Sequence, residues 1–154
     1  MTRIAILPAR GGSKRIPRKN VKPFLGTPML HWPIAAATAS GLFDRIIVST
    51  DDEGIADAAR AAGAEALTRP ADLSDDRTGV VPVVRHALET AGRDADSACL
   101  IYATAPFLRA EDIARGLDAL DGAAFSLELT PELYSRVRGP YNRRNVYGSV
   151  LAYG

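Results

Sequence analysis

The segment from Arg10 to Asn20 has the composition of a binding site for a polyanion. Gly11 and Gly12 have no side chains, so their backbone N–H groups can approach an anion closely, and Ser13 adds a hydroxyl donor. Five cationic residues accompany them: Arg10, Lys14, Arg15, Arg18 and Lys19. Their mutual repulsion is unfavourable unless a polyanion or nearby carboxylates offset it. The segment therefore predicts a loop that holds the phosphates of a nucleoside triphosphate, with a solvated basic turn as the alternative.

Two well-known phosphate-binding sequences do not match this loop. A P-loop requires Gly-x-x-x-x-Gly-Lys-Ser/Thr leading into a helix, whereas here Lys14 follows Ser13 and Pro17 interrupts the segment. The dinucleotide fingerprint Gly-x-Gly-x-x-Gly is absent. A P-loop kinase or ATPase, which would transfer the γ-phosphate, is therefore disfavoured.

The segments around the loop predict an α/β fold. Short β-branched or aliphatic runs alternate with stretches of helical period, which indicates a mostly parallel sheet covered by helices in three αβα layers. Glycines directly after the first two predicted helices are typical helix stops. Strands are predicted at residues 4–7, 45–50 and 98–102, with further candidates at 123–129 and 146–153. Helices are predicted at residues 29–40, 53–62, 79–91 and 110–120.

The predicted strands place polar residues at one edge of the sheet. The first strand leads directly into the basic loop, and open α/β sheets bind their ligands at the carboxyl ends of strands. The second strand ends in Ser-Thr-Asp-Asp at residues 49–52, directly before a helix, so an N-cap role is favoured for Asp51 or Asp52. Tyr102 and Thr104 lie at the end of the third predicted strand, and we favour a pocket position for them over a buried core tyrosine.

Length and composition restrict the class of protein. A chain of 154 residues predicts one domain, and its formal net charge of +1 gives no global field for nucleic acid or an anionic membrane. Cys99 is the only cysteine and lies in an apolar run, so it is predicted to be a core residue. The apolar start is shorter than a signal-peptide core, and no run approaches a membrane span. We therefore expect a cytoplasmic location.

Residues 7–20, which read Leu-Pro-Ala-Arg-Gly-Gly-Ser-Lys-Arg-Ile-Pro-Arg-Lys-Asn, resemble the signature of the cytidylyltransferases that activate nonulosonic acids, the sialic acid group. The likeness covers most of residues 3–130. Within the group, residues 73–79 and the Tyr-Ala-Thr-Ala-Pro-Phe of residues 102–107 resemble the branch that acts on pseudaminic acid. N-acetylneuraminate enzymes more often carry Gln-Pro-Thr-Ser-Pro at the latter place. The likeness continues through residues 22–24, 26–29, 40–44, 47–52 and 69–70.

The resemblance implies a Rossmann-like nucleotidyltransferase fold and a reaction. The anomeric hydroxyl of the sugar acid would attack the α-phosphate of CTP, giving a CMP-sugar and pyrophosphate. Arg10 and Lys19 are implied as the catalytic contacts to the triphosphate. From its position before Pro70, Arg69 could equally be a surface loop residue. The resemblance implies that it binds nucleotide or substrate. Roles in binding nucleotide or substrate are implied for Leu7, Ala9, Gly11, Gly12, Ser13, Lys14, Asn20, Arg69, Thr78, Tyr102 and Thr104.

The resemblance also implies Mg²⁺, which bridges phosphate oxygens in this chemistry. The sequence identifies no ligands for this ion. The adjacent acids Asp75 and Asp76 are predicted to lie in an exposed loop instead. Residues 1–154 are interpreted as one domain, shortened at the C-terminal side relative to the family. The family's dimerisation arm and its later metal-binding aspartates have no visible counterpart, so a homodimer stays open.

Two alternatives to a pseudaminic acid cytidylyltransferase remain. One is a CMP-N-acetylneuraminate synthetase, whose partners would again be CTP and a nonulosonic acid, with no nucleic acid and no membrane. The other belongs to a different class: a shortened nucleotide-binding module without turnover.

Overall fold

The computed structural model describes residues 1–118 and 148–151 of the chain. Its main sheet has five strands in the order β5-β4-β1-β6-β7, of which only β7 is antiparallel to its neighbour. The prediction of a mostly parallel α/β sheet is confirmed. The strands are β1 (Arg3–Pro8), β2 (Pro23–Phe24), β3 (Thr27–Pro28), β4 (Arg45–Thr50), β5 (Glu65–Thr68), β6 (Ser97–Ile101) and β7 (Gly148–Leu151), and the helices are α1 (His31–Ser40), α2 (Glu53–Ala61), α3 (Val80–Ala91) and α4 (Ala110–Asp118).

The central strand β1 is buried on both faces of the sheet. Ile4 and Ile6 pack with residues of α3 on one face, whereas Ala5 and Leu7 pack with residues of α1, α2 and α4 on the other. This burial explains why β1 is a continuous apolar run rather than an alternating one. The sheet therefore forms the middle of three layers, as the sequence predicts.

The order of the strands creates a ligand crevice at a defined place. From β1 the chain passes through α1, β4 and α2 to β5, and α3 then carries it back to β6 on the opposite side of β1. The direction of winding reverses between β1 and β6, and such switch points are where open α/β sheets bind ligands at the carboxyl ends of their strands. The basic loop begins at the carboxyl end of β1.

Most predicted boundaries agree with the structure to within two residues. The predicted strand at 45–50 is β4, whereas the predicted strand at 98–102 is displaced by one residue and leaves Tyr102 beyond the end of β6. β7 represents the last predicted strand, and the candidate strand at 123–129 lies outside the described residues. Two features were not predicted from the sequence: β5, whose Glu-Ala-Leu-Thr has little β-branched character, and the short β2–β3 hairpin.

The junction between β4 and α2 separates the roles of the two adjacent aspartates. Asp52 is the N-cap of α2, because its Oδ1 accepts a hydrogen bond from the Ile55 amide at 2.9 Å. The N-cap prediction is therefore confirmed for Asp52. Asp51 instead accepts a hydrogen bond from the Gly11 amide.

The prediction of a core position for Cys99 agrees with the structure. Cys99 is buried in the core beside α1 and α4, as expected for a lone cysteine in an apolar strand. Among the described residues, no helix combines the length and the apolar character that crossing a membrane requires.

Candidate active site

The carboxyl ends of four parallel strands bring the predicted site residues to one edge of the sheet. The basic loop follows β1, Asp51 follows β4, Arg69 follows β5, and Tyr102 follows β6. Residues that are far apart in sequence thus surround one crevice.

The loop is attached to its surroundings through the main chain on both sides of Arg10. The Ala9 amide donates to the Ser49 carbonyl at 2.9 Å, and the Gly11 amide donates to Asp51 Oδ1 at 2.8 Å. From the far end of the loop, Asn20 Nδ2 donates to the Arg10 carbonyl at 2.9 Å, and Asn20 itself is buried. These three hydrogen bonds fix the position from which the Arg10 side chain leaves the backbone.

The side chains of Arg10 and Lys14 converge on one carboxylate. Arg10 Nη1 lies 2.6 Å from Asp76 Oδ1, and Lys14 pairs with Asp76 Oδ2. Hydrogen bonds from Lys14 and Arg10 lower the pKa of the Asp76 carboxyl. Asp76 is exposed, as expected from its loop, and it also supplies the nearby negative charge that the clustered cations require.

The other cations of the loop differ in their surroundings. Arg18 Nη2 lies 3.8 Å from Asp52 Oδ1 and packs over Gly54 at the start of α2. No carboxylate of residues 1–118 forms an ion pair with Lys19, which is half-buried, or with exposed Arg15. Lys19 is therefore the half-buried cation of the loop whose charge no described carboxylate offsets.

The two loop glycines have different surroundings. A Cβ on Gly11 would lie 2.8 Å from Asp52 Cβ, closer than side chains pack, whereas a Cβ on Gly12 would meet open space. The Gly11 amide is taken by Asp51, and the Ser13 amide donates to the Gly11 carbonyl at 2.8 Å. Among the amides of residues 11–13, only that of Gly12 has no protein acceptor within the described part of the chain.

Arg69 is a buried cation, so its interpretation as a surface loop residue is wrong. It is 6% exposed, and its guanidinium donates from Nη2 to the Ser49 carbonyl at 2.7 Å and from Nε to Ser49 Oγ at 3.2 Å. Desolvation lowers the pKa of Arg69, the negative charge of Asp51 opposes this change, and the positive charge of Arg10 adds to it. The charge of Arg69 therefore acts within the site, beneath the loop.

The remaining predicted residues fall into two groups. Leu7 and Ala9 are core residues, 0% and 1% exposed, so only their main chain is available to a ligand. Tyr102 is 44% exposed, which makes the alternative of a core tyrosine wrong, and Thr104 is also exposed. Thr78 is half-buried, and its amide donates to Asp75 Oδ1 at 2.6 Å just before α3 begins.

The described carboxylates offer no assembled metal site. Residues 1–118 contain no group of three or more His, Cys, Asp or Glu side chains placed to hold a metal ion. The acids at this edge are already engaged: Asp51 with the loop amide, Asp52 with the helix, and Asp76 with two cations. Each of these carboxylates therefore already has a protein partner in the described part of the chain.

A family model described as Cytidylyltransferase matches residues 4–145. The chain belongs to the cytidylyltransferase family. Pseudaminic acid cytidylyltransferase of Campylobacter jejuni is 46% identical over 112 residues, which cover 70% of this chain and 48% of that protein. N-acylneuraminate cytidylyltransferase A of Danio rerio is 37% identical over 116 residues, covering 75% of this chain and 27% of that protein. The chain thus spans about half the length of the first relative.

The architecture of this cytidylyltransferase also matches a solved structure. The structure of CMP:2-keto-3-deoxy-manno-octonic acid synthetase complexed with CTP has a TM-score of 0.70 to this chain and 23% sequence identity. The match covers 81% of this chain and 50% of that one. At this level of identity the likeness shows that the nucleotidyltransferase fold is shared.

Proposed function

We propose that this cytidylyltransferase activates pseudaminic acid with CTP, giving the CMP-sugar and pyrophosphate. The observation that carries the proposal is the convergence of Arg10 and Lys14 on one carboxylate at the switch point of the sheet. Two cations arranged around one pair of anionic oxygens suit a phosphate group in the same place. The identity to the Campylobacter relative supports the choice of sugar.

The proposed reaction exchanges one phosphorus–oxygen bond for another. The anomeric hydroxyl oxygen of the sugar acid forms a bond to the α-phosphorus of CTP, the proton of that hydroxyl is released to solvent, and the bond from the α-phosphorus to pyrophosphate breaks. The protein's contribution is to position the reactants and to offset negative charge on the phosphates as pyrophosphate leaves. The geometry of the described residues favours the phosphate contacts.

We assign the phosphate contacts to the loop. Arg10, whose planar fork suits two oxygens of one phosphate, and Lys19, a point charge without a described carboxylate partner, are the proposed catalytic residues. Lys14, the Gly12 amide and the Ser13 hydroxyl assist them. Leu7, Ala9 and Gly11 contribute through the shape of the main chain, because their side chains are buried or absent.

The other proposed binding residues surround the loop. Asn20 and Arg69 act from below it, since both are buried and hydrogen-bonded to the main chain of the site. Thr78, Tyr102 and Thr104 supply hydroxyl groups from the segments after β5 and β6. We propose that these hydroxyls face nucleotide or sugar.

A divalent cation, with Mg²⁺ as the proposed ion, belongs to the proposal because it neutralises the charge of a triphosphate. Its ligands are not assigned, since the described carboxylates are engaged elsewhere. None of the residue roles above depends on it.

One experiment separates the enzyme from a nucleotide-binding module without turnover. The protein is mixed with CTP, Mg²⁺ and pseudaminic acid. Pyrophosphate release is measured over time, and mass spectrometry identifies and quantifies the CMP-sugar. We expect pyrophosphate and the CMP-sugar in equal amounts. Binding of CTP by calorimetry without release would favour the binding module. No binding of any nucleoside triphosphate would contradict the assignment of the loop.

A further inference from the structure

Asp51 stands out among the acids of the site because its role is neither a helix cap nor an ion pair. Its neighbour Asp52 caps α2, and Asp76 neutralises Arg10 and Lys14. The hydrogen bond that Asp51 makes within the described residues is to the Gly11 amide, at 2.8 Å. A carboxylate beside a loop for phosphates is electrostatically unfavourable to the ligand, so its presence needs a reason.

The packing of the loop against the end of β4 supplies that reason. Gly11 lies so close to Asp52 that a Cβ would clash with the side chain at 2.8 Å, so the loop rests directly on the β4–α2 junction. Two residues earlier, the Ala9 amide binds the Ser49 carbonyl, which also accepts a hydrogen bond from buried Arg69. The end of β4 thus holds the loop at residues 9 and 11, on either side of Arg10.

The charge of Asp51 is also balanced from beneath. Its negative charge favours the charged form of Arg69, whose burial alone disfavours it. Arg69 is in turn held by Ser49. The two charges together leave a junction that is close to neutral beside the cations of the loop.

We propose that Asp51 is a positioning residue, which holds the Gly11 amide and thereby aims Arg10 at the triphosphate without contacting the nucleotide itself. The proposal rests on the proposed function only in naming the triphosphate as the target. The hydrogen bond between Asp51 and the Gly11 amide is present in the ligand-free protein and does not depend on the identity of the ligand. Because the role needs an acceptor oxygen rather than a charge, an asparagine at position 51 satisfies it.

The first arm of the test uses no ligand. Hydrogen exchange of the Gly11 amide is measured by NMR in the wild type, in Asp51→Ala and in Asp51→Asn. Glu53→Ala is the matched control, because this exposed acid lies two residues away and pairs with Arg60 rather than with the loop. We expect exchange at Gly11 to be about tenfold faster in Asp51→Ala, equivalent to about 1.4 kcal/mol, and within about threefold of wild type in the other two variants.

The second arm measures CTP affinity by calorimetry in the same four proteins. We expect binding about tenfold weaker in Asp51→Ala, and affinity close to that of wild type in Asp51→Asn and Glu53→Ala. Equal losses in Asp51→Ala and Asp51→Asn would overturn the proposal, since they would mean that the carboxylate charge or a direct contact matters. Unchanged exchange at Gly11 in Asp51→Ala would overturn it as well.

The two arms also separate this proposal from the proposed function. If the wild type binds no CTP, the function fails, while the exchange arm still decides the role of Asp51. If Asp51→Ala does not fold, as judged by circular dichroism, Asp51→Asn decides instead. Faster exchange at Gly11 in that folded variant would then count against the hydrogen-bond role.

Discussion

Arg10 Nη1 lies 2.6 Å from Asp76 Oδ1, across 66 residues of sequence, and the second oxygen of Asp76 pairs with Lys14. Two of the cations proposed to bind phosphate therefore already hold an anion. Asp76 lies in the loop that leads from β5 to α3, whereas both cations lie in the loop after β1. A triphosphate that binds Arg10 and Lys14 has to displace this carboxylate.

We expect Asp76→Asn to bind CTP more tightly than wild type, by about two- to fivefold, because the competing charge is removed and exposed ion pairs are weak. Calorimetry at constant ionic strength measures the change. Asp72→Asn is the matched control, since it removes one negative charge from the same segment, where Asp72 is exposed and forms no ion pair with residues 1–118. Equal effects of the two variants would show that net charge, rather than competition, is responsible.

Arg10→Ala is expected to weaken CTP binding while leaving the fold intact. Losing charge-assisted hydrogen bonds to phosphate corresponds to roughly 1.5–3 kcal/mol of binding free energy. The melting temperature should stay close to that of wild type, because the ion pair that is lost joins the guanidinium to the exposed carboxylate of Asp76. Arg85→Ala, on an exposed position of α3, is the control for loss of one positive charge. A lower melting temperature with unchanged affinity would instead indicate a structural role for Arg10.

The wild-type affinity should also fall as salt rises. Five cations lie in residues 10–20, and salt screens the attraction between exposed charges and a polyanion. Titrations with CTP at low and high sodium chloride concentration measure the slope, and Arg10→Ala should reduce it. An affinity independent of salt would argue that the cations do not carry the binding.

The two glycines of the loop provide a matched pair for stability. Gly11→Ala should destabilise the protein by about 1–3 kcal/mol, because the new methyl group must displace the Asp52 cap of α2. Gly12→Ala should change the free energy of unfolding by less than about 0.5 kcal/mol, since its Cβ meets open space. Urea unfolding of both variants measures the difference. Similar values would mean that the loop does not rest on the β4–α2 junction.

The sequence predicted the location of the site better than its internal contacts. A continuous apolar strand followed by glycines and cations is a local pattern, so the loop, the parallel sheet and the crevice could be predicted from it. The partners of Arg10 and Arg69 could not, because they depend on which distant segments the fold brings together. Arg69 before Pro70 looks like a surface residue locally, and only the ends of β4 and β5 bury it. From the sequence, Asp51 and Asp52 were equally suitable as the N-cap of α2, and only the structure shows that Asp52 has this role.

Cys99 makes stability depend on pH in the alkaline range. Burial raises the pKa of its thiol from 9.0 to about 12, so between these values the unfolded chain has lost a proton that the folded chain retains. The free energy of unfolding therefore decreases as pH rises from 9 to 12, by up to about 1.4 kcal/mol per pH unit from this group. Cys99→Ala removes this contribution, and the difference between the two unfolding curves across pH isolates it. Parallel curves would contradict the buried neutral thiol.

The choice of sugar is expected to depend on the segment after β6. Tyr102 and Phe107 are 44% and 67% exposed, and Phe107 packs edge-to-face on Phe24 with ring centroids 5.7 Å apart. This segment thus presents aromatic surface and the two hydroxyls of Tyr102 and Thr104, where N-acetylneuraminate enzymes more often have a glutamine. Pseudaminic acid has a deoxy, methyl-ended side chain, whereas N-acetylneuraminate has a glycerol tail. An apolar wall leaves glycerol hydroxyls unpaired, at about 1–3 kcal/mol for each.

Pseudaminic acid should therefore exceed N-acetylneuraminate in kcat/KM by at least about tenfold, equivalent to ~1.4 kcal/mol. In the test, the two acids compete for a limiting supply of CTP, and mass spectrometry measures the ratio of the two CMP-sugar products. Tyr102→Gln, which introduces an amide donor and acceptor, should narrow the preference, while Tyr102→Phe, which keeps the ring and removes only the hydroxyl, should preserve it. Equal or reversed yields with the wild type would contradict the assignment to pseudaminic acid and leave the cytidylyltransferase reaction standing. If Tyr102→Gln kept the wild-type preference for pseudaminic acid, the segment after β6 would not be what determines the choice of sugar.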